Sequence, residues 1–217
     1  AWTGYRRQRS PIFTALYCKR PRNKNRRRHP NTLENCDMPK INVRPAIADD
    51  IPQLVRLEHN YETDFVWQMD FRCSGDQKQL STTFRWIRLP RTQRVEYPRS
   101  PKSMLADWTS RSALLVASMD IGTIGYISLD LNHSPSTCWA TDMVVARPFR
   151  RKGVATALIL SALEWGSNHA SRQLVLEFQL KNHAGIKLAQ KFGFEFCGYN
   201  DRYFDNNDIA IFFAKAL

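Results

Sequence analysis

Val144-Val145-Ala146-Arg147-Pro148-Phe149-Arg150-Arg151-Lys152-Gly153-Val154-Ala155 reads as a strand end, a basic turn with a glycine, and the first turn of a helix. The spacing Arg-x-x-Gly-x-Ala, on Arg150, Gly153 and Ala155, sets a row of backbone N–H groups at a helix N-terminus, where the first donors have no intrahelical acceptor. Those donors and the positive end of the helix dipole suit a phosphate or pyrophosphate. Gly153 lets the backbone approach a ligand with no Cβ in the way, and Arg150, Arg151 and Lys152 add positive charge. Taken alone, the pattern also fits an ordinary basic helix start on a solvated surface. Val154, Leu158, Ser161, Ala162 and Trp165 recur at helical spacing toward His169, while Cys138–Val145 reads as the preceding strand.

Farther along stands Asn182-His183-Ala184-Gly185-Ile186-Lys187-Leu188-Ala189-Gln190-Lys191-Phe192-Gly193-Phe194. With Arg150, Gly153 and Ala155 ahead of it, this segment resembles the GNAT superfamily of acetyl-coenzyme A-dependent N-acetyltransferases. That family carries Gln/Arg-x-x-Gly-x-Gly/Ala, then Asn-x-x-Ala-x-x-Leu-Tyr, then Gly-Phe. The resemblance covers roughly residues 38–217, is tightest over 140–196 and is loose near 70–110. It implies an α/β GNAT (acyl-CoA N-acyltransferase) fold: a mixed central sheet with helices on both faces.

Composition agrees with that expectation. A chain of 217 residues, 43% hydrophobic, can build one domain with a sizeable core. No apolar run approaches the ~20 residues that span a bilayer, so no membrane partner is expected. Cys18, Cys36, Cys73, Cys138 and Cys197 are odd in number and lack paired or metal-like spacing, which points to a reducing, cytoplasmic setting and to no metal. Residues 1–37 hold ten Arg and Lys against Glu34 and Asp37, so +8 of the +12 net charge lies there. We read this stretch as a basic, disordered leader or an over-extended start, with a targeting segment or an anion-binding arm as alternatives. Residues 38–217 form the expected enzyme domain.

Within that domain, Ile41–Arg44 reads as a strand and Ala48–Ile51 opens a helix running toward Tyr61. Residues 73–110, broken by Pro90, Pro98 and Pro101, read as a strand, a loop and a turn, a substrate-side hairpin or loop in family terms. Strands at Ala113–Ser118 and Thr123–Leu129 flank a tight turn at Asp120-Ile121-Gly122. After the helix from Gly153 come a strand Gln173–Phe178, a helix Ala184–Lys191 and two closing strands.

Acetyl transfer to an amine needs a coenzyme seat, a polarised carbonyl, an amine without its proton and a proton for the thiolate. By resemblance, Arg150, Arg151, Lys152, Gly153, Val154, Ala155 and Thr156 hold the pyrophosphate of acetyl-CoA. Val144 and Val145 lie along the pantetheine arm, with the Val145 N–H aimed at the thioester carbonyl. Asn182 either reaches that arm or caps the following helix. In Leu174-Val175-Leu176-Glu177-Phe178, alternation sets Glu177 opposite an apolar face. A carboxylate there needs a partner or a cleft. Its distance from Asn182 matches the general base of ribosomal-protein acetyltransferases, and the competing reading is a salt bridge. Asp142 is the second candidate acid. Ala189 stands where the family has its tyrosine proton donor, so Tyr203, or Tyr199, is the substitute candidate.

The closing stretch Gly198–Phe213 is similar to streptothricin-type and to ribosomal-protein acetyltransferases, which implies a small-molecule or peptide amine as acceptor. Glu58, Glu62 and Asp64 would suit a cationic amine, or form the solvated face of an amphipathic helix. A homodimer stays open. Two other functions remain at this level: a GNAT-fold acyl-CoA-binding module with little catalysis, and nucleic-acid binding through the basic arm. Residues 38–217 carry no recognisable nucleic-acid motif, so nucleic acid is not an expected partner.

Overall fold

The structure, a computed structural model, describes the backbone of residues 13–15 and residues 40–217 apart from Gln77. The remaining expectations for residues 1–37 lie outside the described residues. The strands are β1 (Phe13–Ala15), β2 (Ile41–Pro45), β3 (Tyr61–Cys73), β4 (Leu80–Val95), β5 (Ala113–Met119), β6 (Gly122–Asp130), β7 (Thr137–Val145), β8 (Gln173–Gln179), β9 (Glu195–Asn200) and β10 (Ala210–Ala216). Helices α1 (Ile51–Arg56), α2 (Met104–Asp107), α3 (Val154–Asn168) and α4 (His183–Lys191) complete the fold.

Among the described residues, eight strands form one mixed sheet in the order β1-β2-β5-β6-β7-β8-β10-β9, in which only β7 and β8 run parallel. Alternation along β5 divides the core in two. Leu115 and Ala117 face Leu158, Ile159 and Ala162 of α3, a layer that also takes in Ile186 and Ala189 of α4. Leu114 and Val116 face Ile51 and Leu54 of α1 and Met104 of α2. Two-residue periodicity thus demands a helical cover on each side, and the expected mixed α/β sheet with helices on both faces is what forms.

Two elements differ from the sequence reading. The first helix stops at Arg56 rather than continuing toward Tyr61, which instead begins a thirteen-residue strand. β3 and β4 form a long two-stranded hairpin apart from the main sheet. Its register breaks where Thr63 pairs Gln93 but Phe65 pairs Arg88, leaving Pro90 in the looped-out segment. Proline has no N–H to give the ladder, so the bulge falls there. Trp67 and Phe84 dock the hairpin on the core, and the Trp67 N–H donates to Leu180 O at 2.9 Å.

Candidate active site

The β7–β8 ladder has four rungs, from Thr137↔Gln173 to Ala140↔Leu176, and then ends although both strands continue. Beyond it the strands part, and a cleft of about 680 Å³ opens. Its walls include Met143, Val144, Val145, Gly153, Ala155, Thr156, Glu177 and Asn182.

Register fixes which backbone groups face this opening. Ala146 N–H donates to Ile124 O at 2.8 Å, so residue 146 is hydrogen-bonded to β6 and Val145, opposite Gly125, is not. In an antiparallel ladder the N–H and C=O of such a residue both point away from that partner. Val145 therefore aims both groups at the side where β8 has left. Its carbonyl accepts from Arg150 Nε at 2.9 Å, which leaves the N–H facing the cleft.

The turn after β7 takes a shape that depends on two left-handed residues, Arg151 (φ 65°) and Gly153 (φ 89°). Gly153 precedes α3, whose first turn has no side-chain cap. The N–H groups of Val154, Ala155 and Thr156 are thus the unshared donors of a fifteen-residue helix, at the rim of the cleft. The exposed Arg151 joins Lys187 and Lys191 of α4 along the lining. Lys152 lies with its Nζ 5.3 Å from the Phe149 ring centroid. Arg150 is placed differently. Besides Val145 O, its guanidinium donates to Glu58 O at 2.8 Å and Asn60 O at 3.0 Å, tying the turn to the loop after α1. These features suit a nucleotide-bearing thioester: helix N-terminal donors and cations for phosphates, a free strand edge for an extended arm.

Asn182 caps α4, its Oδ1 accepting from Gly185 N–H at 2.9 Å, while the residue also lines the cleft. The capping alternative is therefore present, and cleft contact accompanies it.

Around Glu177 the structure assembles a charged cluster. Glu177 Oε1 accepts from Arg99 Nη2, and Oε2 accepts from the Tyr203 hydroxyl at 2.9 Å. Burial pushes the Glu177 carboxyl above the ordinary glutamate range, with Arg99 and Tyr203 opposing that push. Asp142 accepts from the Tyr97 hydroxyl and from Arg111 at 3.1 Å, and lies 3.5 Å from Arg99. Arg99 also donates to Thr141 O at 2.9 Å. The salt-bridge reading of Glu177 is thus realised, although the residue stands at the cleft. Tyr203 lies behind Glu177 and is not among the lining residues; burial first, then Glu177, push its phenol up to about 12. Tyr199 is engaged elsewhere, at 2.8 Å from the Thr82 hydroxyl. Ala189 is sealed in the core.

The acidic segment is not a helix face. Glu58 pairs with Arg94 and Glu62 with Arg147, while Asp64 accepts from Thr92 at 2.6 Å. Because the segment leaves α1 early and becomes strand, Glu58 and Glu62 meet arginines from other parts of the chain and Asp64 a hydroxyl of β4. Sequence reasoning missed Tyr97, Arg99, Arg111 and His59. Arg99 lies in a proline-broken, arginine-rich stretch where nothing in the spacing separates it from Arg91 or Arg94. His59, buried in the cleft wall, bonds Leu57 O at 2.7 Å and the Tyr126 hydroxyl at 3.2 Å. Among the described residues, no group of three or more His, Cys, Asp or Glu is arranged to hold a metal, and no helix is long and apolar enough to cross a membrane.

Residues 81–194 match the model of the Acetyltransferase (GNAT) family. Nourseothricin acetyltransferase has a similar structure, with TM-score 0.67 at 22% identity over 81% of this chain and 98% of that one. A protein assigned as a streptothricin acetyltransferase of Bacillus anthracis, solved with acetyl coenzyme A, gives 0.60 at 18% over 82% and 97%. Ribosomal-protein-S18-alanine N-acetyltransferase of Escherichia coli gives 0.57 at 14% over 81% and 93%. At these identities the likeness is one of fold. No curated protein matches the sequence. The matched segment holds β7, the turn, α3, β8 and α4, and the chain belongs to the acetyltransferase (GNAT) family as an acetyl-coenzyme A-dependent N-acetyltransferase.

Proposed function

We propose that this enzyme moves the acetyl group directly to the primary amine of a small molecule or peptide, with Glu177 as general base. The observation that carries the reading is the parting of β7 and β8, with a free amide on one edge and a buried carboxylate on the other. Acetyl-coenzyme A, when bound, supplies an activated thioester carbonyl. The first-turn N–H groups of α3, with Arg151 and Lys152, would hold its phosphates, and Asn182 would lie against its arm. The Val145 N–H would donate to the carbonyl oxygen as charge develops there, a stabilisation that acts at the transition state. Arg150 keeps Val145 and the turn in register from behind, through backbone carbonyls.

Glu177 suits a base because burial raises its affinity for a proton, and the ammonium form of the acceptor must lose one before attack. Asp142 is a positioning residue in this reading: Tyr97, Arg99 and Arg111 converge on it and fix the acceptor-side loops on β7. With Ala189 buried, the position of the family's tyrosine supplies no acid. A thiolate with pKa near ~8.5 leaves at neutral pH without one.

The test is steady-state release of free coenzyme A thiol across a panel of primary amines, beginning with aminated antibiotics and peptide N-termini. Glu177→Gln should lower kcat by about 10²–10⁴ while leaving the KM for acetyl-coenzyme A unchanged. Full turnover in that variant would remove Glu177 as base.

A further inference from the structure

Arg99, in the connection between β4 and α2, lines the cleft beside Glu177 and is bonded directly to its carboxylate. Its side chain is 30% exposed, whereas that of Glu177 is 0% exposed. Arg99 covers Oε1 and Tyr203 covers Oε2. A base must come within hydrogen-bond reach of the proton it removes, directly or through one water. No amine in the cleft can do so while the guanidinium keeps its place.

We infer that Arg99 is the resident counter-ion of Glu177 and that the acceptor's primary ammonium group displaces it; this rests on the reading of Glu177 as the base. Three features allow the exchange. Arg99 retains two anchors when it releases Glu177: Thr141 O at 2.9 Å and Asp142 at 3.5 Å. Its guanidinium carbon lies 5.0 Å from the Phe204 ring centroid, an apolar face it can slide across without losing the cation–π attraction. Asp142 stays compensated throughout, because Arg111 holds it from the other side at 3.1 Å.

The ammonium then meets Oε1 in place of the guanidinium. One N–H bond of the ammonium breaks, its electron pair stays on nitrogen, and the proton bonds to Oε1. The neutral amine is left beside the parted strands with a lone pair for the carbonyl. Before the acceptor arrives, Arg99 opposes the upward push that burial gives the carboxyl. The groups facing Glu177 are Arg99 from the connection after β4, Tyr203 from the β9–β10 connection and Asp142 from β7; its β10 neighbour, Phe212, does not titrate. The acceptor class selected is an unhindered aliphatic amine charged at neutral pH, because only a compact cation fills the guanidinium's place.

The experiment compares full-length wild type, Arg99→Gln and Arg99→Lys. Glu177 is titrated by carbon NMR of side-chain-labelled glutamate without substrates, its signal assigned through Glu177→Gln. The same proteins give kcat and the acceptor KM from pH 5.5 to 9. In Arg99→Gln the Glu177 midpoint and the acid limb of kcat/KM should rise together by about one to three pH units. Above the limb, the acceptor KM should fall, because no cation has to be displaced. Arg99→Lys should bring the limb most of the way back. Methylguanidinium should compete with the acceptor in Arg99→Gln, raising KM without changing kcat. An unmoved limb, or an acceptor KM raised tenfold or more, would overturn the inference, since Arg99 would then hold the acceptor rather than yield to it. If Arg99→Gln does not fold, Arg99→Met takes its place in the same titration, and a limb identical to wild type there refutes the role. Full kcat in Glu177→Gln would instead sink the base assignment itself.

Discussion

Gly125→Ala tests whether the cleft depends on close backbone approach. Gly125 faces Val145 across β6 and β7. A Cβ there would lie 2.7 Å from Val144 O, 3.3 Å from Val145 Cα and 3.4 Å from Val154 Cγ1. The two closest contacts are with backbone, so β7 must shift rather than a side chain rotate. Overpacking of this kind costs about 1–3 kcal/mol. Replacing a strand glycine by alanine otherwise favours the fold by ~0.5–1 kcal/mol, leaving a net loss of up to about 2.5 kcal/mol and ~1.25 kcal/mol at mid-range. For a domain of this size each kcal/mol lowers Tm by about 2–4 °C, so at that mid-range cost the melt should fall by roughly 3–5 °C. Because the displaced backbone carries the Val145 amide, acetyl-coenzyme A should also bind about tenfold more weakly, or ~1.4 kcal/mol. Gly198→Ala is the control, since its nearest atom is Phe212 Cδ2 at an ordinary 3.7 Å. Thermal melts and calorimetric titration of both variants decide the matter. A Gly125→Ala protein that melts and binds like wild type would refute the reasoning.

Two further expectations follow from the same structure. Arg150→Ala should cost stability and raise the acetyl-coenzyme A KM, because three carbonyls lose their donor at once; Arg150→Lys should not rescue it, as an ammonium cannot reproduce the fork, and full rescue by lysine would show that charge alone matters. His59 is held neutral, its pKa lowered by burial first and by Arg150. The unfolded chain therefore binds the extra proton, so stability should rise with pH through the unfolded histidine range near ~6.5 and fall below it. In His59→Gln, denaturant midpoints between pH 5 and 7 should lose that part of the slope, and an unchanged slope would contradict the assignment.

How much of this could be read from the chain depended on the range of each interaction. Arg150–Ala155 and Asn182–Phe194 are local patterns whose glycine, cap and helical spacing act within a few residues, and the strand–turn–helix around Gly153 formed where expected. The wall of the cleft that these segments build was legible for that reason. The acceptor side was not. Tyr61 belongs to β3 only because the hairpin finds the far end of β8, through Trp67 and Leu180, a tertiary preference that local propensity does not carry. Arg99 reaches Glu177 across 78 positions of sequence, and no spacing rule marks such a pair. Glycine in the run Thr123-Ile124-Gly125-Tyr126 was the one available signal of close approach, since a strand interior has little other use for it.

The four-rung seam between β7 and β8 has a consequence for the order of events. It joins two plates, one ending in β7 and the other formed by β8, β10 and β9, with α3 packed beneath. Beyond Leu176 nothing in the sheet ladder sets the distance between the Val145 amide on one plate and the Glu177 carboxylate on the other. A thioester arm bonded along the β7 edge would act as the missing rung and fix that spacing. The acceptor would then meet a site of defined width only after the donor had bound. Such an arrangement would make binding compulsory-order, coenzyme first and amine second, with the sheet itself serving as the gauge.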